Sequence, residues 1–210
     1  MVISLGEMLN SVAALPPEAF HRYAFAGEAR AGKIPPADRL LMAEKAARRG
    51  AEEARLLAEG CRNSPPALLC RRLGIGIECT EEEPDRFLPA FAWFAPPGTI
   101  TILSRYARKA QELADKAAFE SRVEDTLIAH ELFHFTEDRN RRNARGLKPE
   151  LWGKAFSGPS PLPCLSEIAA MAFARELLGL PYSPYTLNIA LMHSIDPGGT
   201  AKLFRAFMEG

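Results

Sequence analysis

The sequence predicts an α+β fold: N-terminal helices, a small, mostly antiparallel sheet with one hairpin, and two later helices that meet. Three observations carry this expectation. Helix-forming segments punctuated by Pro and Gly fill the first third of the chain. The stretch from Ile75 to Leu103 changes to short, strand-like patterns around a Pro96-Pro97-Gly98 turn. Helical patterning then returns and contains His130-Glu131-Leu132-Phe133-His134.

The elements follow in order. Pro16-Pro17-Glu18 opens a helix running towards Gly27 or Gly32. Pro35-Pro36-Ala37-Asp38 opens a longer one, with Leu40, Leu41, Ala47, Ala54 and Leu57 among its apolar positions and Gly60 as its stop. Ser64-Pro65-Pro66 reads as an N-cap followed by Pro at the first helical position, starting a short helix that ends at Gly74. Ile75, Ile77 and Cys79 alternate with Gly76 and Glu78, as in a half-buried strand. Ala90–Ala95 and Thr99–Leu103 form a hairpin about the Pro-Pro-Gly turn, and Pro89 suits only an edge or a strand start. Arg105 to Phe119 is rich in Ala, Lys, Gln and Glu, all good helix formers. Ser121-Arg122-Val123-Glu124 matches a capping box, which sets a helix start near Ser121. A long connection from Arg139 to Pro163 is basic and then rich in Gly and Pro. A helix from about Leu165 to Leu178 is stopped by Gly179 and Pro181, Ser183-Pro184 starts another, and Asp196-Pro197-Gly198-Gly199 sets off a last short one.

At 210 residues the chain suits a single domain, 1–210, with 1–63 as a helical N-terminal part and 64–210 as the core that bears the chemistry. Hydrophobic residues make up 47% and charged residues 25%, the composition of an ordinary globular protein. Lys+Arg and Asp+Glu balance at 26 each, so no global field draws the chain to nucleic acid or an anionic membrane. Met1 to Pro16 lacks a basic leading segment and contains Glu7, unlike a secretory signal, and no apolar run is long enough to span a bilayer. Cys61, Cys70, Cys79 and Cys164 form no C-x-x-C pair and read as reduced thiols, which points to the cytoplasm.

The chemistry centres on His130 and His134. Residues four apart lie on one helix face, about 6 Å apart along the axis, so two imidazoles can reach one ion. Glu131 is rotated by about 100° and stands beside the ion, where a base can take a proton from water activated at the metal. Two of the four histidines in the chain fall at this spacing, and Ile128, Leu132 and Phe135 can pack inward while they face a cleft. A catalytic zinc needs a third protein ligand and an open position. Glu137 shares the histidine face but lies about 10 Å along the axis from His130, too far for one ion. Glu167, near the start of the next helix and beside the small residues Ala169, Ala170 and Ala174, is the better candidate; Glu176 is the fallback and Cys164 lies three residues before Glu167.

These residues resemble a known pattern. Thr126-Leu127-Ile128-Ala129-His130-Glu131-Leu132-Phe133-His134, followed by Glu167-Ile168-Ala169-Ala170-Met171-Ala172-Phe173-Ala174, resembles the ImmA/IrrE-type gluzincin metallopeptidases, over roughly Ser64 to Leu180. The resemblance implies a zincin-like fold, Zn2+ held by His130, His134 and Glu167, Glu131 as the catalytic base, and a regulatory endopeptidase that cleaves a repressor-like protein. The chain departs from relatives that carry a helix-turn-helix region. It also has Met171 where a thermolysin-like pattern has Asp, so no partner for the ligating histidines is evident. Arg139, Arg141, Arg142, Arg145 and Lys148 form a basic run, and Tyr182, Tyr185 and His193 are candidates to hydrogen-bond a developing oxyanion.

The expected activity is hydrolysis of a peptide bond by a zinc metallopeptidase, acting on a protein or peptide partner, with neither nucleic acid nor membrane engaged directly. Two rivals differ in class: a catalytically silent protein-binding module that keeps the zinc fold, and a zinc hydrolase acting on a small amide. Nothing in the sequence fixes an oligomeric state.

Overall fold

A computed structural model describes residues 3–59, 64–83, 90–143 and 162–209. Helix α1, Leu5–Ala13, begins at a capping box: the Glu7 N–H donates to Ser4 Oγ, and Glu7 Oε2 accepts the Ser4 backbone N–H at 2.7 Å. Helix α2, Pro17–Ala26, starts on its proline as the sequence predicts. Helix α3, Pro36–Glu59, is the long N-terminal helix, but its buried positions are Ala43, Ala46, Gly50 and Ala54, while Leu40 and Leu41 are exposed. The reason is its partner: α3 lies along the later helix α7, Pro163–Leu178, so closely that only small side chains fit between them. An added Cβ at Gly50 would stand against the Ala169 carbonyl oxygen, 2.8 Å from its carbon and 3.0 Å from Ala169 Cα.

Helix α4, Pro66–Arg72, is shorter by one residue at its start than expected: Pro65, not Ser64, occupies the cap, and no side chain bonds there. Gly74, at φ +73°, turns the chain into strand β1, Gly76–Thr80. Strands β2, Ala92–Ala95, and β3, Thr99–Leu103, form the expected hairpin, with Trp93 opposite Thr101 and Phe94 opposite Ile100. The sheet order is β1-β3-β2, and β1 runs parallel to β3, with Ile77 opposite Ile100. The sheet is therefore mixed, not mostly antiparallel. Strand β2 comes between β1 and β3 in sequence but lies on the far side of β3 in the sheet, so β3 is the central strand. Cys79 is exposed and Ile77 only half-buried, as suits a strand on the outer edge. Pro89 lies outside the described residues.

Helix α5, Ser104–Lys116, leads to α6, Val123–Asn143, which packs against β2, β3 and α7. The expected capping box at Ser121 does not form. Gln111 of α5 starts α6 instead: its Oε1 accepts the Val123 N–H at 3.0 Å and its Nε2 donates to Ser121 Oγ at 3.0 Å. Helix α7 ends on Gly179 in the left-handed conformation, φ 63°, as predicted. A short 3₁₀ turn, Pro184–Thr186, precedes α8, Leu187–Ile195. The last helix, α9, Pro197–Glu209, runs straight through Gly198 and Gly199, so only Asp196 separates it from α8. One hydrophobic core extends from Met8 to Phe207 and includes Leu132, Phe133, Leu165 and Phe173. Among the described residues no helix is long and apolar enough to cross a membrane.

Candidate metal centre

Two helices build the centre. On α6 the inward face is apolar, with Ile128, Leu132 and Phe135 buried as their spacing predicts, and this leaves His130 and His134 facing a cleft. Helix α7 starts at Pro163, two residues earlier than expected, so Glu167 falls in its second turn. That position brings its carboxylate to both imidazoles.

The contacts are short and mutual. His130 Nε2 lies 3.2 Å from His134 Nε2 and 3.2 Å from Glu167 Oε2. His134 Nε2 lies 3.5 Å from Glu167 Oε1. Ligating atoms of all three residues fall within 4.8 Å of one another. Four donors placed tetrahedrally at about 2.0–2.1 Å from an ion are separated from each other by about 3.3–3.4 Å. The separations here match that spacing, so His130, His134 and Glu167 form a group that can hold a metal ion. Glu176 does not join them. It faces α3, where Arg55 Nε approaches its carboxylate at 3.6 Å. Cys164 is buried in the core, and burial first, then the negative charge of Glu28, pushes its thiol up to about 11.

The electrostatics follow from this crowding. Burial works against a charged imidazole at His130, but the hydrogen bond and charge of Glu167, with Glu131 behind it, outweigh burial and hold its pKa at about 8. Burial likewise opposes ionisation of Glu167, yet His130 and His134 hold it down at about 2. A carboxylate kept ionised between two imidazoles is the state a cation requires.

Glu131 stands apart from the three donors. It is buried and its Oε2 accepts the Phe94 backbone N–H at 2.8 Å. This donor comes from β2, which among the described residues has only β3 as a sheet neighbour. Leu103 N–H donates to Phe91 O, so residues 91, 93 and 95 turn their backbone groups towards β3 while 92 and 94 turn away from it. The cleft beside β2 holds about 440 Å³ and is walled by Phe91, Trp93, Leu127, Met171, Leu187 and Leu191. Asn188 adds a neutral amide that sequence reasoning did not pick out.

Glu137 is not a ligand, as its distance along α6 requires, but it is close to the site. Its Oε2 lies 4.0 Å from His134 Nδ1 and accepts a 2.7 Å hydrogen bond from Ser166 Oγ, which in turn sits 3.3 Å from His134 Nδ1. Met171 lines the cleft and offers no polar partner to either histidine. Tyr182 and Tyr185 line a second cavity of about 250 Å³ that shares Met171 and Pro184 with the metal cleft, and His193 lines neither; burial first, then the nearby charge of Glu167, pushes the Tyr185 hydroxyl well above its ordinary value. Of the basic run, Arg139 places its guanidinium over the Phe135 ring at 5.5 Å. Arg145, Lys148 and Cys61 lie outside the described residues.

Compared with protein-family models, with curated proteins and with solved structures, the chain finds no match in any of the three.

Proposed function

We propose that this chain is a zinc-dependent metallopeptidase of the gluzincin type, with His130, His134 and Glu167 as the metal ligands and Glu131 as the general base. One observation carries the reading: three donors converge at tetrahedral spacing beside a carboxylate that is not one of them, in a cleft bordered by an edge strand. Two imidazoles and one carboxylate are the ligand set of a large class of zinc hydrolases, and the donor spacing suits a small tetrahedral ion. Zinc held there would polarise a peptide carbonyl and ease the deprotonation of water.

The protein groups supply the rest. Glu131 accepts the proton of the attacking water and delivers it to the departing amine. The Phe94 N–H holds one carboxylate oxygen of Glu131, which orients the other towards the cleft. The outward backbone groups of Ala92 and the outward carbonyl of Phe94, whose N–H is taken by Glu131, can pair with an extended peptide, and the apolar walls can receive its side chains. The sequence resemblance to ImmA/IrrE-type gluzincins narrows the substrate to a repressor-like regulatory protein in the cytoplasm.

The test is Glu131→Gln, assayed on an unfolded protein such as casein and on a library of extended peptides. The amide cannot take a proton, so cleavage should fall by about 10²–10⁴ while metal content stays the same. Undiminished cleavage by this variant excludes Glu131 as the base. A protein-binding module would cleave nothing in either form.

A further inference from the structure

The proposed zinc site leaves one question of proton placement open, and the contacts around His134 answer it. Ser166 Oγ has a single proton and two lone pairs. It lies 2.7 Å from Glu137 Oε2, an oxygen that accepts, and 3.3 Å from His134 Nδ1. The shorter contact, to a carboxylate, claims the hydroxyl proton. His134 Nδ1 must then be the donor and Ser166 Oγ its acceptor. A neutral imidazole with its proton on Nδ1 has a bare lone pair on Nε2, the atom that faces His130 and Glu167.

The geometry points to a relay, Glu137–Ser166–His134, in which Ser166 and Glu137 are positioning residues that fix the tautomer and the ring orientation of one metal ligand. The arrangement explains why residues from two helices meet here. Glu137 lies one turn beyond His134 on α6, within reach of its outer nitrogen. Ser166 precedes Glu167 on α7, so the residue that completes the ligand set and the one that orients His134 arrive together. The Glu137 side chain is 13% exposed, which keeps its charge effective at short range. His130 is the internal contrast: its Nδ1 is buried and has no hydrogen-bond partner among the described residues, so within them His134 alone is oriented in this way. The relay also supplies the hydrogen-bond partner that Met171 cannot.

The inference rests on the zinc reading of the same residues, and the experiment separates the two. Zinc affinity is measured by chelator competition for the wild-type protein, Ser166→Ala, Ser166→Thr and Glu137→Gln. In parallel, ¹⁵N shifts of the histidine rings report the tautomer of His134 in each metal-free protein. Ser166→Ala should lower zinc affinity by roughly 10–100-fold and reduce the population with the proton on Nδ1 of His134. Ser166→Thr, which keeps the hydroxyl, should restore both. Glu137→Gln keeps an acceptor but loses the charge, and should fall between. A purely structural role would lower the melting temperature without moving the His134 tautomer. Wild-type affinity in Ser166→Ala with an unchanged tautomer overturns the relay and leaves the zinc reading standing. If Ser166→Ala fails to fold, a wild-type ring that carries its proton on Nε2 overturns it equally. A wild-type protein that takes up no zinc removes the zinc reading, and the relay with it.

Discussion

Gly50→Ala puts two opposite expectations into direct competition. In an ordinary helix interior, replacing Gly by Ala gains about 1 kcal/mol from helix propensity and the reduced entropy of the unfolded chain. At Gly50 the new methyl meets backbone, at 2.8 Å from the carbonyl carbon of Ala169 and 3.0 Å from its Cα. Carbon atoms in good contact stand about 3.5–4.0 Å apart, so α3 and α7 must open by about 1 Å. No rotamer relieves the clash, because both partners are main chain. Overpacking of this kind costs about 1–3 kcal/mol, and the rigidity of two long helices puts this case at the upper end. After the propensity gain, a net loss of about 2 kcal/mol remains, which for a chain of this size lowers the melting temperature by about 4–8 °C. The functional consequence is larger. Ala169 lies two residues beyond Glu167 on α7, so moving that helix draws the carboxylate away from His130 and His134, and metal affinity should drop by more than tenfold. Thermal unfolding and metal titration of the one variant read both effects. A melting temperature at or above that of the wild-type protein would refute the close packing of α3 on α7.

Two further outcomes follow from the donor set. Glu167→Ala should weaken zinc binding by several orders of magnitude, whereas Glu176→Ala, whose carboxylate faces Arg55, should leave it nearly intact; isothermal titration of both variants decides between them. In the metal-free protein His130 is held at about 8, so below that pH a proton on its ring competes with the metal. Zinc affinity should therefore rise about tenfold per unit from pH 6 to near 8 and then flatten. Glu167, held at about 2, releases no proton over this range. An affinity that does not change between pH 6 and 8 contradicts the placement of His130 against Glu167.

Much of the centre was legible in the sequence because helix geometry alone brings His130 and His134 together and sets Glu131 beside them. Glu167 was legible for a second reason: small residues after it allow a close helix contact, although their neighbour across that contact proved to be Gly50 of α3. The rest of the centre is carried by groups without a residue-type signature. The donor to Glu131 is a backbone N–H of an edge strand, which any residue at position 94 except proline would supply. Ser166 reads as an ordinary polar residue, and the spacing that excludes Glu137 as a ligand says nothing of its reach to the outer nitrogen of His134. In the fold, Asp196-Pro197-Gly198-Gly199 does not form the expected four-residue separation, because α9 begins on Pro197 and takes both glycines into its first turn. The parallel pairing of β1 with β3 depends on a crossing that strand patterns do not encode. Helix α1 follows from the Ser4-x-x-Glu7 capping box, a signature the mildly apolar N-terminal stretch also carries in its sequence.

The central claim is that His130, His134 and Glu167 hold a single zinc ion. Metal analysis of the gently purified chain tests it most directly, by elemental quantification before and after incubation with zinc and removal of the unbound metal. About one zinc per chain is expected, lost in both His130→Ala and Glu167→Ala. A wild-type protein that is metal-free and takes up no zinc contradicts it.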